Sequence, residues 1–216
     1  ITQEMARARN RASPLSAVEI QQVGPRLFDR RFMLLIVGAG LVSGSHGFLY
    51  GFVSIYWESI GLQPGIIGVL WSWSVVAEVV MFMFFTRIFG GFSAYSVLLM
   101  AAVAAILRWV VMPYVWSSGL GVPGFFAAQT LHAFSTALVL IGVQLLIARR
   151  VPEERTGAAQ GVAFFANGVS MAIVTLASGP LYVAFGVSGF LAMVPVAALG
   201  MFSILAAGRA PRGSAT

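Results

Sequence analysis

Residues 66–87 have the sequence IIGVLWSWSVVAEVVMFMFFTR, a nearly continuous apolar run. Over 22 residues it carries only two charges, Glu78 near the middle and Arg87 at the end. A helix rises about 1.5 Å per residue and needs about 20 apolar residues to cross the hydrocarbon of a bilayer. The apolar residues are continuous and do not alternate with polar ones, which favours a helix over a barrel strand. The stretch is therefore predicted to be a transmembrane helix.

Other runs of the same character lie on both sides of it, separated by clusters of Gly, Pro, Ser and charged residues. The sequence predicts an all-α membrane protein, a bundle of six transmembrane helices within residues 32–208. An Arg-rich segment, residues 1–31, precedes the bundle, and a tail, residues 209–216, follows it. The six predicted spans are 32–56, 66–87, 94–113, 122–147, 157–183 and 188–207.

The overall composition agrees with this prediction. The chain has 216 residues, of which 59% are hydrophobic and 9% charged, with a mean hydropathy of +0.90. A soluble domain has about 25% charged residues, so the expected surroundings are a lipid bilayer. The net charge is +6, but the basic residues lie in short segments between apolar runs, which argues against nucleic acid as a partner. Because the chain has no Cys, it can form no disulfide and no thiolate metal site.

The basic residues, all of them Arg, predict the orientation. Arg108 lies within a predicted span and Arg87 at the end of one, and all Arg residues other than Arg108 fall on one side of the predicted topology. Short cytoplasmic loops are enriched in Arg and Lys, so both termini are expected in the cytoplasm. The chain starts at Ile1 without a signal peptide, and we expect a fragment of a longer protein. The Arg residues on the predicted cytoplasmic side are Arg7, Arg9, Arg11, Arg26, Arg30, Arg31, Arg87, Arg149, Arg150, Arg155, Arg209 and Arg212.

Aromatic residues and glycines give two further expectations. Aromatic side chains near the opposite ends of the spans are expected at the outer interface. Glycines at helical spacing in the first and fifth spans are expected to allow close helix packing or to act as hinges. The aromatic residues are Tyr56, Trp57, Trp71, Trp73, Tyr114 and Trp116, and the glycines are Gly40, Gly44, Gly47, Gly51, Gly157, Gly161 and Gly168.

Glu78 is the first of three ionisable residues within the spans. It lies nine residues before Arg87, roughly 13 Å inside the membrane boundary. A charge at this depth costs about 2.5–3.5 kcal/mol, and burial favours the neutral form of a carboxylic acid. Glu78 is therefore a candidate for binding and releasing protons. The alternative is a structural carboxylate that a neighbouring Arg neutralises.

Arg108 and His132 are the other two. Glu78, on the preceding antiparallel helix, is the expected partner of Arg108. Arg108 can instead bind a substrate carboxylate or extend to the outer interface. His132 lies near Glu78 in depth and can relay protons, or it can be a hydrogen-bonded packing residue. Gln129 shares its helix face.

His46, Gln144 and Asn167 are secondary candidates, for which interhelical hydrogen bonds are the default expectation. No catalytic residue, metal site or cofactor is expected. Residues 186–189 (GVSG) match the short nucleophile motif of rhomboid proteases, but no His follows them, so an enzyme is not predicted.

Four segments resemble the phenylpropionate-permease group of the major facilitator superfamily, and specifically its carboxyl-terminal six-helix half. They are residues 45–57 (SHGFLYGFVSIYW), 68–79 (GVLWSWSVVAEV), 108–109 (RW) and 129–132 (QTLH). Residues 86–91 (TRIFGG) and 151–157 (VPEERTG) resemble loops of the wider superfamily. The related lactose permease has a Glu, an Arg and a His on the corresponding helices, which implies that Glu78, Arg108 and His132 take part in proton coupling and substrate binding. That permease has a second carboxylate one turn beyond its His, where this chain has Ser135.

The resemblance implies a transporter of the bacterial inner membrane, driven by the proton motive force. The predicted function is proton symport of a small organic solute such as 3-phenylpropionate. Sugar or nucleoside symport is one alternative, and a scaffold protein that transports nothing is another. The expected partners are the bilayer, the substrate, and either an amino-terminal six-helix half or a second copy, because a lone half would leave a polar face uncovered.

Overall fold

The computed structural model describes residues 29–209, and these residues are helical with short connections. Most of the predicted amino-terminal segment and the tail beyond Arg209 lie outside the described residues, as do Arg7, Arg9, Arg11, Arg26 and Arg212. Three 3-10 segments, at Met112–Tyr114, Glu153–Arg155 and Gly186–Ala192, lie between α-helices. The α-helices are α1 (Arg30–Gly44), α2 (Gly47–Ser59), α3 (Pro64–Phe89), α4 (Ala94–Val111), α5 (Gly121–Arg150), α6 (Thr156–Phe185) and α7 (Met193–Arg209).

Five helical stretches of the described residues are long and apolar enough to cross a membrane, and the last one, Glu153–Arg209, has 57 residues. That is nearly three times the length one crossing needs. The backbone of Gly186 has a φ of +54°, a conformation that suits glycine, and it separates α6 from α7. The stretch therefore provides two crossings, which gives the six-span bundle that the sequence predicts.

The directions of α6 and α7 agree with this division. Along α1, Gly40 lies against Ala166 and Gly44 against Ser170, so α1 and α6 run parallel. The Ser203 hydroxyl of α7 donates to the Leu34 carbonyl at 2.8 Å, while Gly200 lies against Val42. Helix α7 therefore runs antiparallel to α1 and to α6.

The first span is interrupted between α1 and α2, which the sequence prediction of one continuous helix over 32–56 did not anticipate. The Ser45 hydroxyl donates to the Val42 carbonyl at 2.6 Å, and His46 Nδ1 lies 3.1 Å from the same oxygen. The backbone N–H of His46 bonds to Ser43, three residues earlier, instead of four. Side chains that compete for helix carbonyls loosen the helix at that point. Helix α7 also starts later than predicted, because a 3-10 segment occupies the residues before Met193.

Several arginines lie at one end of the bundle, which we call the arginine-rich end. The Arg150 guanidinium lies 3.9 Å from the Asp29 carboxylate at the start of α1. Arg149 donates to the Phe92 carbonyl at 3.5 Å, just before α4. Gly208, near the end of α7, lies against the Tyr95 ring at the same end. The starts of α1 and α4 and the ends of α5 and α7 therefore meet here.

Close packing is confirmed for Gly40, Gly44 and Gly47 and not found for Gly51 or for the glycines of α6; a hinge role stays a prediction. Side chains added at Gly40, Gly44 or Gly47 would lie within about 3 Å of α6, so these glycines permit close contact between helices. Gly51 has open space around it. The positions Gly157, Gly161 and Gly168 also meet no neighbouring atom within 4 Å, because they lie on a face of α6 that no other described element covers.

The aromatic prediction is partly wrong. Tyr56 and Trp57 are buried, and the Trp57 ring packs 5.6 Å from Phe125 and 6.2 Å from Trp71. Two of the predicted interface residues therefore belong to the core. The other described helices do not cover long apolar faces of α3 and α6. Exposed apolar side chains on these faces include Val75, Val76, Val79, Met83, Ile173, Leu176 and Val183.

Candidate functional site

Arg108 lies in the last turn of α4 and is completely buried. Its Nη1 lies 2.5 Å from His132 Nδ1, and its Nη2 donates to Gln129 Oε1. Its guanidinium carbon lies 5.1 Å from the centre of the Trp109 ring. The arginine therefore faces α5 inside the bundle and does not extend to the outer interface.

The contact with Arg108 determines the tautomer of His132. A guanidinium can only donate hydrogen bonds, so His132 Nδ1 must accept and the ring proton must be on Nε2. That Nε2 lies 3.2 Å from Glu78 Oε1. The imidazole is thus a bridge between the guanidinium and the carboxyl group. The expected direct pairing of Glu78 with Arg108 is wrong, because α5 packs against both α3 and α4 and places His132 between the two charges.

Gln129, one turn before His132, links the same three helices. Its Oε1 accepts from Arg108 of α4, and its Nε2 donates to the Leu70 carbonyl of α3 at 3.2 Å. Both ends of the amide therefore have fixed partners. The structure brings together all four residues that the sequence proposes as the main site.

Thr136, one turn after His132, is a further member that the sequence analysis did not propose. Its hydroxyl contacts Glu78 Oε1 and lies 2.8 Å from the His132 carbonyl oxygen. A hydroxyl has one hydrogen to donate. When Glu78 is protonated it can donate to Thr136, which leaves the Thr136 hydrogen for the carbonyl. When Glu78 is ionised, the carboxylate and the carbonyl compete for that hydrogen. Thr136 lies four residues after His132, a spacing that places two side chains on the same helix face, and this spacing was the signal available in the sequence.

The cluster is open to its surroundings at one end. The Glu78 side chain is 26% exposed on the described bundle, whereas the His132 side chain is 5% exposed. The exposed end is the carboxyl group, and the sealed end is the guanidinium. Glu78 is therefore the ionisable member of the cluster that is most accessible from outside the described bundle.

His46 joins the cluster from the opposite side. Its Nε2 lies 2.9 Å from the Ser135 hydroxyl, which also lies 3.0 Å from the His132 carbonyl oxygen. The His46 ring stands 4.8 Å from the Trp109 ring and 5.3 Å from that of His132. His46 and Ser135 are both buried. His46 therefore connects α5 to the break between α1 and α2.

Gln144 and Asn167, the other secondary candidates, do not contact Arg108 or Glu78. Both line a cleft between α1, α5 and α6, which Thr136 also lines. Gln144 accepts a hydrogen bond from Gln160 at 3.4 Å. Asn167 Oδ1 is shielded and has no hydrogen-bond partner among the described residues. Among residues 29–209, which the structure describes, no group of three His, Asp or Glu side chains is placed to bind a metal ion.

Comparison with known proteins identifies the family. The sequence matches the model of the MFS_1-like family over residues 2–192. The chain belongs to the MFS_1-like family. It is also 33% identical over 162 residues to the "Probable 3-phenylpropionic acid transporter" of Escherichia coli (strain K12), a match that covers 75% of this chain and 42% of that relative. The chain thus spans less than half the length of the curated relative it matches. No solved structure matches the sequence.

This membership confirms the resemblance to the phenylpropionate-permease group of the major facilitator superfamily. The MFS_1-like chain is a multi-pass membrane protein of a transporter family, and it is not an enzyme.

Proposed function

We propose that this chain is part of a proton-coupled symporter that carries a small organic anion, and that Glu78 is its proton-binding group. One observation carries the proposal: an unbroken series of contacts runs from the partly exposed Glu78 carboxyl through His132 to the buried Arg108 guanidinium. In a transporter, such a series of contacts can couple the protonation state of Glu78 to the charge balance around Arg108.

The charges of the cluster explain why a proton and an anion would travel together. With Glu78 ionised, its negative charge balances that of Arg108 across one imidazole. When Glu78 is protonated, the guanidinium has no counter-charge in a medium of low dielectric constant, where an unbalanced charge is expensive. The Nε of Arg108 also has no hydrogen-bond partner among the described residues. An anionic substrate bound near the cluster would restore the balance.

The substrate class follows from this balance and from the relative. A carboxylate supplies the required single negative charge, and the relative's name refers to 3-phenylpropionic acid. We infer that the substrate is an aromatic or similar carboxylate. Sugars and nucleosides lack the charge, so the cluster favours them less.

The proposed cycle has a direction. The arginine-rich end faces the cytoplasm according to the positive-inside rule. We infer a bacterial inner membrane, because the matched relative is from Escherichia coli. Glu78 takes a proton from the outside and substrate binds. The protein then changes orientation, and both are released to the cytoplasm. The membrane proton gradient is the only energy source the cycle requires.

The uncovered faces of the bundle suggest where the rest of the transporter lies. Glu78 is partly exposed, and the apolar side chains near it on α3, such as Val75 and Val79, are not covered by other described helices. Transporters of this kind bind substrate between two helical halves that rock about the midplane. We propose that the remaining part of the protein forms the other half and covers this face. A second copy of this chain is the alternative.

The test is uptake of labelled 3-phenylpropionate by cells that express the full-length protein with Glu78→Gln. Proton-driven accumulation should fall at least tenfold, because glutamine cannot release a proton. The matched control is Glu58→Gln, which makes the same change at an exposed position. Undiminished accumulation by the Glu78 variant would reject the coupling role.

The charge balance adds a second measurement. One proton with one monovalent anion carries no net charge, so uptake into vesicles should respond to a pH gradient and not to a membrane potential imposed at equal pH. Uptake driven by the potential alone would contradict the pairing of one proton with one anion.

A further inference from the structure

We propose that Thr136 passes the proton of Glu78 into a water-accessible cleft that leads to the arginine-rich end. The inference rests on the proposed function, because it supplies the release step of the same cycle. It identifies Thr136 as a relay residue and the cleft as the route of the proton, and neither is part of the Glu78–His132–Arg108 series of contacts.

The cleft lies between α1, α5 and α6 and has a cavity volume of about 90 Å³, which is room for several water molecules. Thr136 is at its inner end, and the Thr136 hydroxyl contacts Glu78 Oε1. Thr136 is thus the described residue that touches both the carboxyl group and the cleft. The remaining polar lining comes from Ser43, Gln144, Gln160 and Asn167.

The polar residues are spread along the depth of the membrane. Thr136 lies 14 residues before Arg150, a rise of roughly 21 Å, and Gln144 lies six residues before it, roughly 9 Å. Asn167 and Gln160 lie 12 and five residues after Arg155, roughly 18 and 8 Å. Asn167 is therefore near the depth of Thr136, while the two glutamines are near the mouth at the arginine-rich end.

The cleft meets the requirements for water. A buried water needs space and two to four polar partners. The shielded Asn167 Oδ1 is an acceptor without a partner among the described residues, and the Ser43 and Thr136 hydroxyls line the same space. Elsewhere the walls are apolar and include Ile36, Val139 and Phe164. The lining therefore supports a narrow file of water rather than a wide channel.

Thr136 can act as a relay because a hydroxyl both accepts and donates. Glu78 gives its proton to Thr136 Oγ1 while the hydroxyl's own hydrogen passes to a cleft water. Glu78 becomes a carboxylate, Thr136 stays neutral, and the water becomes a hydronium ion that leaves through the cleft. The Thr136 hydroxyl is left donating to the carboxylate, and it turns toward the cleft again when Glu78 next takes up a proton. No bond other than O–H bonds forms or breaks.

The relay is tested with Thr136→Val, which keeps the branched shape and removes the hydroxyl, and with Thr136→Ser, which keeps the hydroxyl. In the full-length protein, proton-driven accumulation of labelled 3-phenylpropionate should fall at least tenfold in the valine variant. Exchange of internal for external 3-phenylpropionate at equal pH should stay within twofold, because exchange does not require proton release. The serine variant should retain both activities.

Two results would overturn the relay. One is accumulation at the wild-type level in Thr136→Val. The other is loss of exchange together with accumulation, which would place Thr136 in substrate binding or folding instead.

The route is tested without a substrate. Because this chain has no Cys, single cysteines can be placed at Gln144 and Asn167 in a full-length protein whose other cysteines are replaced. In inside-out membrane vesicles, a charged thiol reagent should modify both. Leu176→Cys is the control, since Leu176 is 80% exposed on the described bundle but lies on the opposite face of α6 from Asn167.

The two tests separate the hypotheses. Unreactive cysteines at Gln144 and Asn167, or a Leu176 cysteine that reacts as fast as they do, would overturn the route even if the protein transports protons. A wild-type protein that does not transport 3-phenylpropionate while its cleft cysteines react would instead count against the proposed substrate.

Discussion

Two adjacent hydroxyl residues of α5, Ser135 and Thr136, share one backbone carbonyl as a hydrogen-bond partner and have different surroundings. Both lie within 3.0 Å of the His132 carbonyl oxygen, and each contacts an ionisable side chain of another span. Ser135 meets His46, which is 1% exposed. Thr136 meets Glu78, whose side chain is 26% exposed. Each hydroxyl thus contacts the same carbonyl oxygen and one ionisable side chain, but Glu78 is much more exposed than His46.

This difference suggests a division of labour between the two sides. A proton can be exchanged only where water or substrate can arrive, so the Glu78 side suits coupling. The His46 side is enclosed by Trp109, Ser135 and the break after α1. In the interior of a membrane protein, hydrogen bonds between helices hold the bundle together. We therefore expect the His46 side to govern stability and the Glu78 side to govern coupling.

The largest expected effect on stability is that of His46→Ala. Truncation of this buried ring leaves a cavity beside Trp109 and removes the contact with Ser135, a cost of roughly 2–4 kcal/mol. The measurement is thermal unfolding of the purified full-length protein in detergent. Val37→Ala, at an exposed position of α1, is the control. If His46→Ala unfolds at the wild-type temperature but no longer accumulates substrate, the division between the two sides is wrong.

A smaller loss is expected for Ser135→Ala. His46 Nε2 then loses its partner, and hydrogen bonds between membrane helices contribute about 0.6 kcal/mol on average and up to about 1.7 kcal/mol. The unfolding temperature should fall, while the ratio of accumulation to exchange should stay unchanged. The control is Ser72→Ala, whose hydroxyl bonds only within its own helix, to Gly68. A changed ratio in the Ser135 variant would show that the buried side also takes part in coupling.

The sequence predicted the six spans because an apolar run of about 20 residues leaves few alternatives in a membrane. It did not predict the break at Ser45 and His46, since two polar residues hardly change the hydropathy of a long run. The predicted glycines of the first and fifth spans have similar spacing, but only Gly40, Gly44 and Gly47 lie against another helix. Spacing alone does not show which face a neighbour covers.

The same reasoning explains which site residues could be found. Glu78, Arg108 and His132 stand out because an ionisable group in hydrocarbon needs a partner. Thr136 does not stand out, since a threonine hydroxyl can bond to its own helix and costs little anywhere along it. The bridging position of His132 also had to come from the structure, because it depends on α5 packing against both α3 and α4.

The smallest expected effect on stability is that of Glu78→Gln, and it gives the sharpest contrast with His46. The amide oxygen of glutamine can still accept from His132 Nε2 and Thr136, so the hydrogen bonds that hold α3 to α5 are retained. A neutral amide is also less costly than a carboxylate at this depth, which offsets the loss of charge balance with Arg108. The free energy of unfolding should change by less than about 0.6 kcal/mol, the average for one interhelical hydrogen bond.

The same preparation of the Glu78→Gln protein should unfold within the error of wild type and fail to accumulate 3-phenylpropionate. A large fall in its unfolding temperature would mean that Glu78, like His46, is part of the framework of the bundle, and the contrast between the two sides of α5 would disappear.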